Sequence, residues 1–358
     1  MPKILFIANH RPNRSPSQRF RFEQYLSFLK NEGWDYDFSY LISEKADSIF
    51  YQKGHFLKKM GILINSFFIR WGNVLNASNY DIIFIQREAF LTGTTFFEKR
   101  FSKSKAKVIY DFDDSIWLSN VSDANKKWNW LKNSNKTKEI IAVSDLVFAG
   151  NQYLADYAKQ VNNNVVIIPT TIDTEEYKKI SSKNDKVCIG WSGSITTIQH
   201  FEYAIPFLKE IKKKYGNQIM IKVIGDKNFT NEELGIIGID WNKNDEIKEL
   251  SSFDIGIMPL PNDEWSSGKC GLKGLQYMAL EIPTIMSPVG VNTEIINDSI
   301  NGYLAETEKD WIEKITQLIE SKELRRSIGL MGRKTVINSY SVKSNKDIYL
   351  NQFNQLIK

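Results

Sequence analysis

Short apolar runs rich in β-branched residues alternate with helix-period stretches along all 358 residues, and the series runs twice. The first reads KILFIA (3–8), DIIFIQ (81–86), KVIYDF (107–112), LVFA (146–149) and VVIIP (165–169). Helical patterns cover 17–32, 123–143 and 151–160; in the first, Phe22, Tyr25, Leu26 and Leu29 recur at i, i+3, i+4, i+7. The second series restarts at Val187 with VCIGWS (187–192), MIKVIG (220–225), DIGIMPL (254–260), TIMS (284–287) and GYLA (302–305). Its helices are expected near 199–215, 244–251, 270–280, 309–320 and 323–338. Strands without a polar face are buried on both sides, and helical crossovers between them make each sheet parallel. The pattern predicts an α/β chain of two doubly wound, Rossmann-like domains. The first covers 1–173, a polar linker TEEYKKISSKNDK follows over 174–186, and the second covers 187–340. A last helix over 341–358 carries Tyr349, Phe353 and Leu356 on one face. One ordinary core does not serve a chain this long.

Ligands of open parallel sheets sit beyond the carboxyl ends of the strands. Four stretches at such ends carry chemistry. KVIYDFDDSIW (107–117) places Asp111, Asp113 and Asp114 together, as metal ligands, catalytic groups or a helix cap. NHRPNRSPSQRFR (9–21) carries Arg19 and Arg21 at a helix start, either as a grip on an anion or as solvated helix-surface charge. GWSGSITTIQH (190–200) offers Ser192, Gly193 and Ser194 before a helix, the make-up of a phosphate cradle or of a capping loop. It is neither a Walker loop nor GxGxxG, which argues against a nicotinamide dehydrogenase. The longest stretch, MPLPNDEWSSGKCGLKGLQYMALEIPTIMSPVG (258–290), puts a helix start near Gly268. Lys269 and Lys273 would then face one side of its first turns, with Gln276 one turn on and Gly290 opening a later tight loop. Lysines at a helix N-terminus oppose its dipole, a cost that an anion between them would offset. In GNQYLADY (150–157), Asn151 either lines a binding site or caps the helix.

Composition narrows the classes. The 47 Lys+Arg against 42 Asp+Glu leave +5, too little to argue for nucleic acid as a partner. Two cysteines form no disulfide framework or zinc pattern, and the three histidines share no metal spacing. The start MPKILFIA is too short an apolar run for a signal peptide, and no segment reaches bilayer-spanning length, so a cytoplasmic location is expected. Lys53, Lys58, Lys59 and Arg70 alternate with Phe56, Leu57, Met60, Ile64, Phe67, Phe68 and Trp71. This is either a core-packing helix or one lying on the inner face of an anionic membrane.

The 258–296 stretch resembles the donor-site segment of family 4 retaining glycosyltransferases. In that family the second glutamate of a Glu-x7-Glu pattern heads E-A-M-A-x-G-x-P, and QYMALEIP (276–283) fits the frame. SDLVFAGNQYLADYA (144–158), VVIIPTTIDTEEY (165–177) and SPVGVNTEIINDSINGYLAE (287–306) match as well. The resemblance implies the GT-B fold, with two Rossmann-like domains facing a cleft and the last helix crossing back to the first. It implies transfer of a sugar from a nucleotide-sugar, UDP- or GDP-linked, without a bound metal or other cofactor, onto a glycan or lipid-linked glycan. Both glutamates are replaced, the first by Gly268 and the second by Gln276, and the loop at 193–200 lacks the family's Lys or Arg. Within this frame Ser192, Gly193, Ser194, Gly268, Lys269, Lys273, Gln276 and Gly290 are the donor-side candidates, with Lys269 and Lys273 stabilising the leaving diphosphate. Arg19, Arg21, Asp111, Asp114 and Asn151 are acceptor-side candidates. Asp113 takes the position of a family histidine beneath the reacting sugar. A catalytically weak partner subunit is the alternative. A haloacid-dehalogenase-like phosphatase, suggested by VIYDFDD, lacks its downstream Lys and acidic pair.

Overall fold

The computed structural model describes residues 1–52, 54–118, 133–181, 185–194 and 197–358. They form two compact units, Met1–Thr170 with Lys346–Lys358, and Thr171–Asn345.

The first unit is built on β1 (Lys3–Ile7), β2 (Asp35–Ser39), β3 (Ile82–Gln86), β4 (Lys107–Phe112), β5 (Leu146–Ala149) and β6 (Val165–Ile167). Their order is β2-β1-β3-β4-β5-β6, with every pairing parallel. All five β3 residues, IIFIQ, are buried, as the uninterrupted apolar run requires. The edge strand β2, DYDFS, lay outside the expected set because its composition is polar and no residue in it is fully buried. The helix expected over 17–32 is three pieces: Pro16–Arg19, a 3₁₀ turn Glu23–Tyr25, and Leu26–Asn31. Phe20, Arg21 and Phe22 are all buried. Three consecutive residues sweep about 200° of a helix, so one continuous helix on a surface could not bury them all. The last helix, Val342–Leu356, closes this core: Tyr349 stacks on Tyr25 at 4.4 Å and Phe353 lies parallel to Phe148 at 6.1 Å. The helix expected over 123–143 is described as Lys136–Val143; its residues before 133 lie outside the described residues, as do Lys53 and Thr196.

The second unit holds β7 (Val187–Ser192), β8 (Ile219–Ile224), β9 (Ile236–Ile239), β10 (Ile255–Met258), β11 (Thr284–Met286) and β12 (Tyr303–Leu304). They run parallel in the order β12-β11-β10-β7-β8-β9. The chain winds outward from β7 to β9 and then restarts on β7's other side at β10, so β7 and β10 flank the switch point. The helix expected over 199–215 breaks between Gln199–Glu202 and Ile205–Tyr215, where Pro206 begins the second piece. The stretch read as a linker packs on this unit instead: Thr174 and Tyr177 are buried. Arg333 ties it down by donating to the carbonyls of Thr174, Tyr177 and Ala279.

Candidate functional site

In the first unit the switch point lies between β1 and β3, and the loops after β1, β3 and β4 meet there. Asp111 ends β4 with no exposed surface. Arg21 grips it with Nε at 3.1 and 3.3 Å from its two oxygens and Nη2 at 2.5 Å, and donates Nη1 to the Ile168 carbonyl. Burial pushes the Asp111 carboxyl up, opposed by Arg21. These two residues were expected to face the acceptor. They form instead a buried ion pair that joins β4 to the chain after β6. Arg19 is buried too, with its guanidinium 4.9 Å from the Phe20 ring centroid, and does not stand out as an anion grip. Asn151 is the cap of the Gln152–Lys159 helix, its Oδ1 accepting from Leu154 N at 2.9 Å.

Asp113 and Asp114 lie beyond the strand end, each side chain 13% exposed. Arg87 reaches both: its Nε donates to Asp113 Oδ1 at 2.8 Å, and its Nη2 is 3.8 Å from Asp114 Oδ2. Arg87 follows β3 with φ at +62°, a left-handed backbone uncommon outside glycine, and its N–H donates to the Asp111 carbonyl. Burial works against the Arg87 charge, and Asp113 and Asp114 more than offset it, raising its pKa. Beside them His10 is held down to about 4 by burial and by Arg14, with its Nε2 3.2 Å from the Tyr51 hydroxyl. Tyr51 was not singled out from sequence, while Arg87 was read only as one of the arginines, with Arg19 and Arg21, that could hold Asp111 and Asp114. A left-handed non-glycine carries no signal in sequence, and Tyr51 sits 41 residues from His10 in the chain.

In the second unit Ser192 ends β7, its N–H and hydroxyl on the Tyr277 hydroxyl at 2.7 and 3.0 Å. That bond fixes the strand end to the Leu272–Ala279 helix; Ser192 itself is buried. Gly193 follows where a Cβ would lie 2.1 Å from the Trp191 ring and 2.7 Å from Thr197 Oγ1. Ser194 N–H donates to that same Thr197 hydroxyl at 2.9 Å, folding the described part of the loop on itself. Gly290, at φ +53°, leaves no room for a side chain beside the Ser267 carbonyl.

The helix expected from Gly268 starts later. Asp263 caps a single turn, Glu264–Ser267; Gly268 ends it, and Gly271 at φ +69° leads into Leu272–Ala279. Lys269 therefore precedes the helix rather than sharing its face with Lys273. Lys269 Nζ lies 4.7 Å from the Trp265 ring centroid, and Lys273 Nζ lies 5.3 Å from that of Trp191. The charges of both act on one buried histidine nonetheless. His200 is pushed down to about 4 by burial, by Lys273 and by Lys269, with Asp263 opposing. Sequence reading had weighed His200 only for metal spacing; its signal was a position one turn past a glycine loop. Gln276 is also placed differently from the donor-side contact expected of it. It is 5% exposed, and its Nε2 donates to the Tyr177 hydroxyl at 3.1 Å and Glu246 Oε1 at 3.2 Å. Glu246 accepts further from Tyr177 and Trp241, so the amide belongs to an internal network. A cavity of about 290 Å³ opens over the ends of β10 and β11, walled by Pro259, Leu260, Pro261, Pro288 and Val289 among others. Among the described residues no three His, Cys, Asp or Glu side chains gather as a metal site.

Residues 173–335 match the family model described as glycosyl transferases group 1. The capsular polysaccharide biosynthesis glycosyltransferase CapM of Staphylococcus aureus is 27% identical over 179 residues, 47% of this chain and 45% of CapM. The match thus spans less than half the length of that curated relative. Sucrose-phosphate synthase of Thermosynechococcus elongatus superposes with a TM-score of 0.73 at 13% identity, covering 99% of each chain. HepE of Anabaena, solved in complex with UDP and glucose, superposes at 0.65 and 12% identity, covering 99% of this chain and 100% of its own. The chain has the two-sheet α/β architecture of GT-B glycosyltransferases, and the glycosyl transferase group 1 match falls on its second unit.

Proposed function

We propose that this protein transfers a sugar from a nucleoside-diphosphate sugar to a glycan or lipid-linked glycan, with retention and without a metal, on the cytoplasmic side of the cell membrane. The carrying observation is that Lys273 and the Gly193 loop meet at the Trp191 ring, at the switch point of the second unit's sheet, where the charges of Lys273 and Lys269 also act on His200. Lys273 and Lys269 both disfavour a proton on His200, and the same positive field favours an anionic diphosphate there. The N-terminus of the Leu272–Ala279 helix adds backbone dipole to the same place. As the glycosidic bond breaks, the leaving diphosphate gains charge, and these groups stabilise it. HepE's complex with UDP and glucose supports a uridine donor, and CapM's place in capsule synthesis supports a glycan acceptor. The first unit holds the acceptor, with Asp113 orienting or deprotonating its hydroxyl.

A second reading, a weakly active partner subunit, draws on Gly268 and on the internal Gln276, which leave the donor-sugar side short of carboxylates. A thermal-shift panel of UDP, GDP and their sugars, followed by transfer assays in EDTA, separates the two. One nucleotide should raise Tm, and Lys273→Met should weaken its binding about 10- to 100-fold, the worth of a charged hydrogen bond. No shift with any nucleotide sinks the donor site. Binding without turnover of the isolated chain selects the partner-subunit reading.

A further inference from the structure

The Phe56–Leu75 helix of the first unit carries apolar residues on both sides. Toward the protein, Phe67 packs on Phe97, and the two residues with no exposed surface are the polar Ser66 and Arg70. Arg70 donates to the carbonyls of Ala8 and Ala89, at 2.6 and 2.5 Å, and to Ser39 Oγ at 2.8 Å. The side toward solvent is apolar: Leu57 is 84% exposed, Ile64 53%, Phe68 67% and Leu75 69%, with Met60 flanking at 39%. At 100° per residue Leu57, Ile64, Phe68 and Leu75 fall within about 40° of arc, opposite Ser66 and Arg70. They form a stripe about 27 Å long, five turns of an apolar face in water. Every one of the helix's own charges is positive, and residues 48–80 contain no Asp or Glu. Lys58 is exposed at one end. Toward the other, Trp71 stacks on Phe96 at 6.0 Å and Arg100 lies over that ring at 5.1 Å. On the two helices packed alongside, Glu98 is buried and Asp47 is held by Arg11 and Arg14, leaving Glu44 as the exposed acid.

We propose that this stripe docks on an anionic bilayer surface, its apolar side chains among the acyl chains and Lys58 and Arg100 at the headgroup phosphates. The charge decides the occupant. A second copy of the chain would meet the same cations with no carboxylate on the stripe to answer them, whereas an anionic surface answers both the apolar face and its basic ends. Docking does not depend on sugar transfer. The test is co-sedimentation of the full chain with vesicles of phosphatidylcholine alone or mixed with phosphatidylglycerol, at low and high salt, alongside sedimentation velocity without lipid. The chain should pellet with the anionic vesicles at low salt and stay in solution with the neutral ones. Lys58→Gln and Arg100→Gln should each lower the partition coefficient about fivefold. The triple variant Leu57→Ser, Ile64→Ser, Phe68→Ser alters exposed positions only; it should keep its circular dichroism and lose pelleting. A wild-type chain left in the supernatant with anionic vesicles overturns the proposal. So does a triple variant that still pellets, or lipid-free dimerisation that the triple variant abolishes without any vesicle binding in the parent.

Discussion

A single histidine shows how far a residue's setting outweighs its type. In water His200 would titrate near 6.5; folded, it is held at about 4 by burial and two lysines. It is therefore neutral in the native state at pH 7, and its protonation is deferred until well into acid. The sign of the linkage follows. Above about pH 6.5 neither state takes the proton and His200 costs nothing. Between about 6.5 and 4 the unfolded chain binds a proton that the folded chain refuses, so stability falls as pH falls. His200→Gln should flatten that slope relative to wild type in urea titrations run at pH 7 and pH 5. Equal slopes would mean that burial and the lysines do not hold the folded His200 down. Arg21 and Asp111 make the complementary point. Both charges are conspicuous in sequence, and both serve the interior, because a forked guanidinium can satisfy a buried carboxylate and a carbonyl at once.

At the scale of elements, function collects where strands end. β3 and β4 are registered side by side with Gln86 opposite Asp111, which brings the residues just beyond them, Arg87 and Asp113, into contact. The left-handed turn at Arg87 aims its guanidinium across that gap, so Asp113 is held in place by a neighbouring strand rather than by its own. Asp113→Asn should keep nucleotide binding and fold while lowering transfer at least about 100-fold, the typical worth of a positioned base. Unchanged turnover would remove Asp113 from the chemistry. The same logic explains what the helices did. The i, i+3, i+4, i+7 pattern at Phe22–Leu29 was legible, yet Arg21 had to turn inward, and the helix gave way to short pieces around it. The Leu272–Ala279 helix likewise starts three residues after Lys269, because Gly271 takes a left-handed turn that only backbone geometry reveals.

At the scale of the molecule, each unit wraps a parallel sheet, and the first is completed from the far end of the chain. Tyr349 and Phe353 have no exposed surface and sit among Tyr25, Trp34, Phe84 and Phe148. Phe353→Ala should cost about 3–5 kcal/mol in denaturant unfolding of the first unit, the usual range for a buried aromatic. A loss under about 1 kcal/mol would mean the helix is dispensable to that core. The apolar spacing of Tyr349, Phe353 and Leu356 announced a buried face, and the sheet supplies the surface it buries against.

The sequence by itself determined the strands that are buried on both faces, because an unbroken β-branched run has one stable setting, the middle of a parallel sheet. It also pointed to the strand ends as the place to look for site residues. It could not show the edge strands β2 and β9, whose half-buried faces read like loop. Only tertiary structure decided which charges turn inward. Arg21, Arg70 and Gln276 look like surface or site residues in one dimension, and they are buried because acceptors as far as 147 residues away in the chain take their hydrogen bonds. It decided, too, that the most amphipathic-looking basic helix faces the wrong way for a core. Periodicity reports that a face is apolar; which way it points depends on what the rest of the chain has already covered.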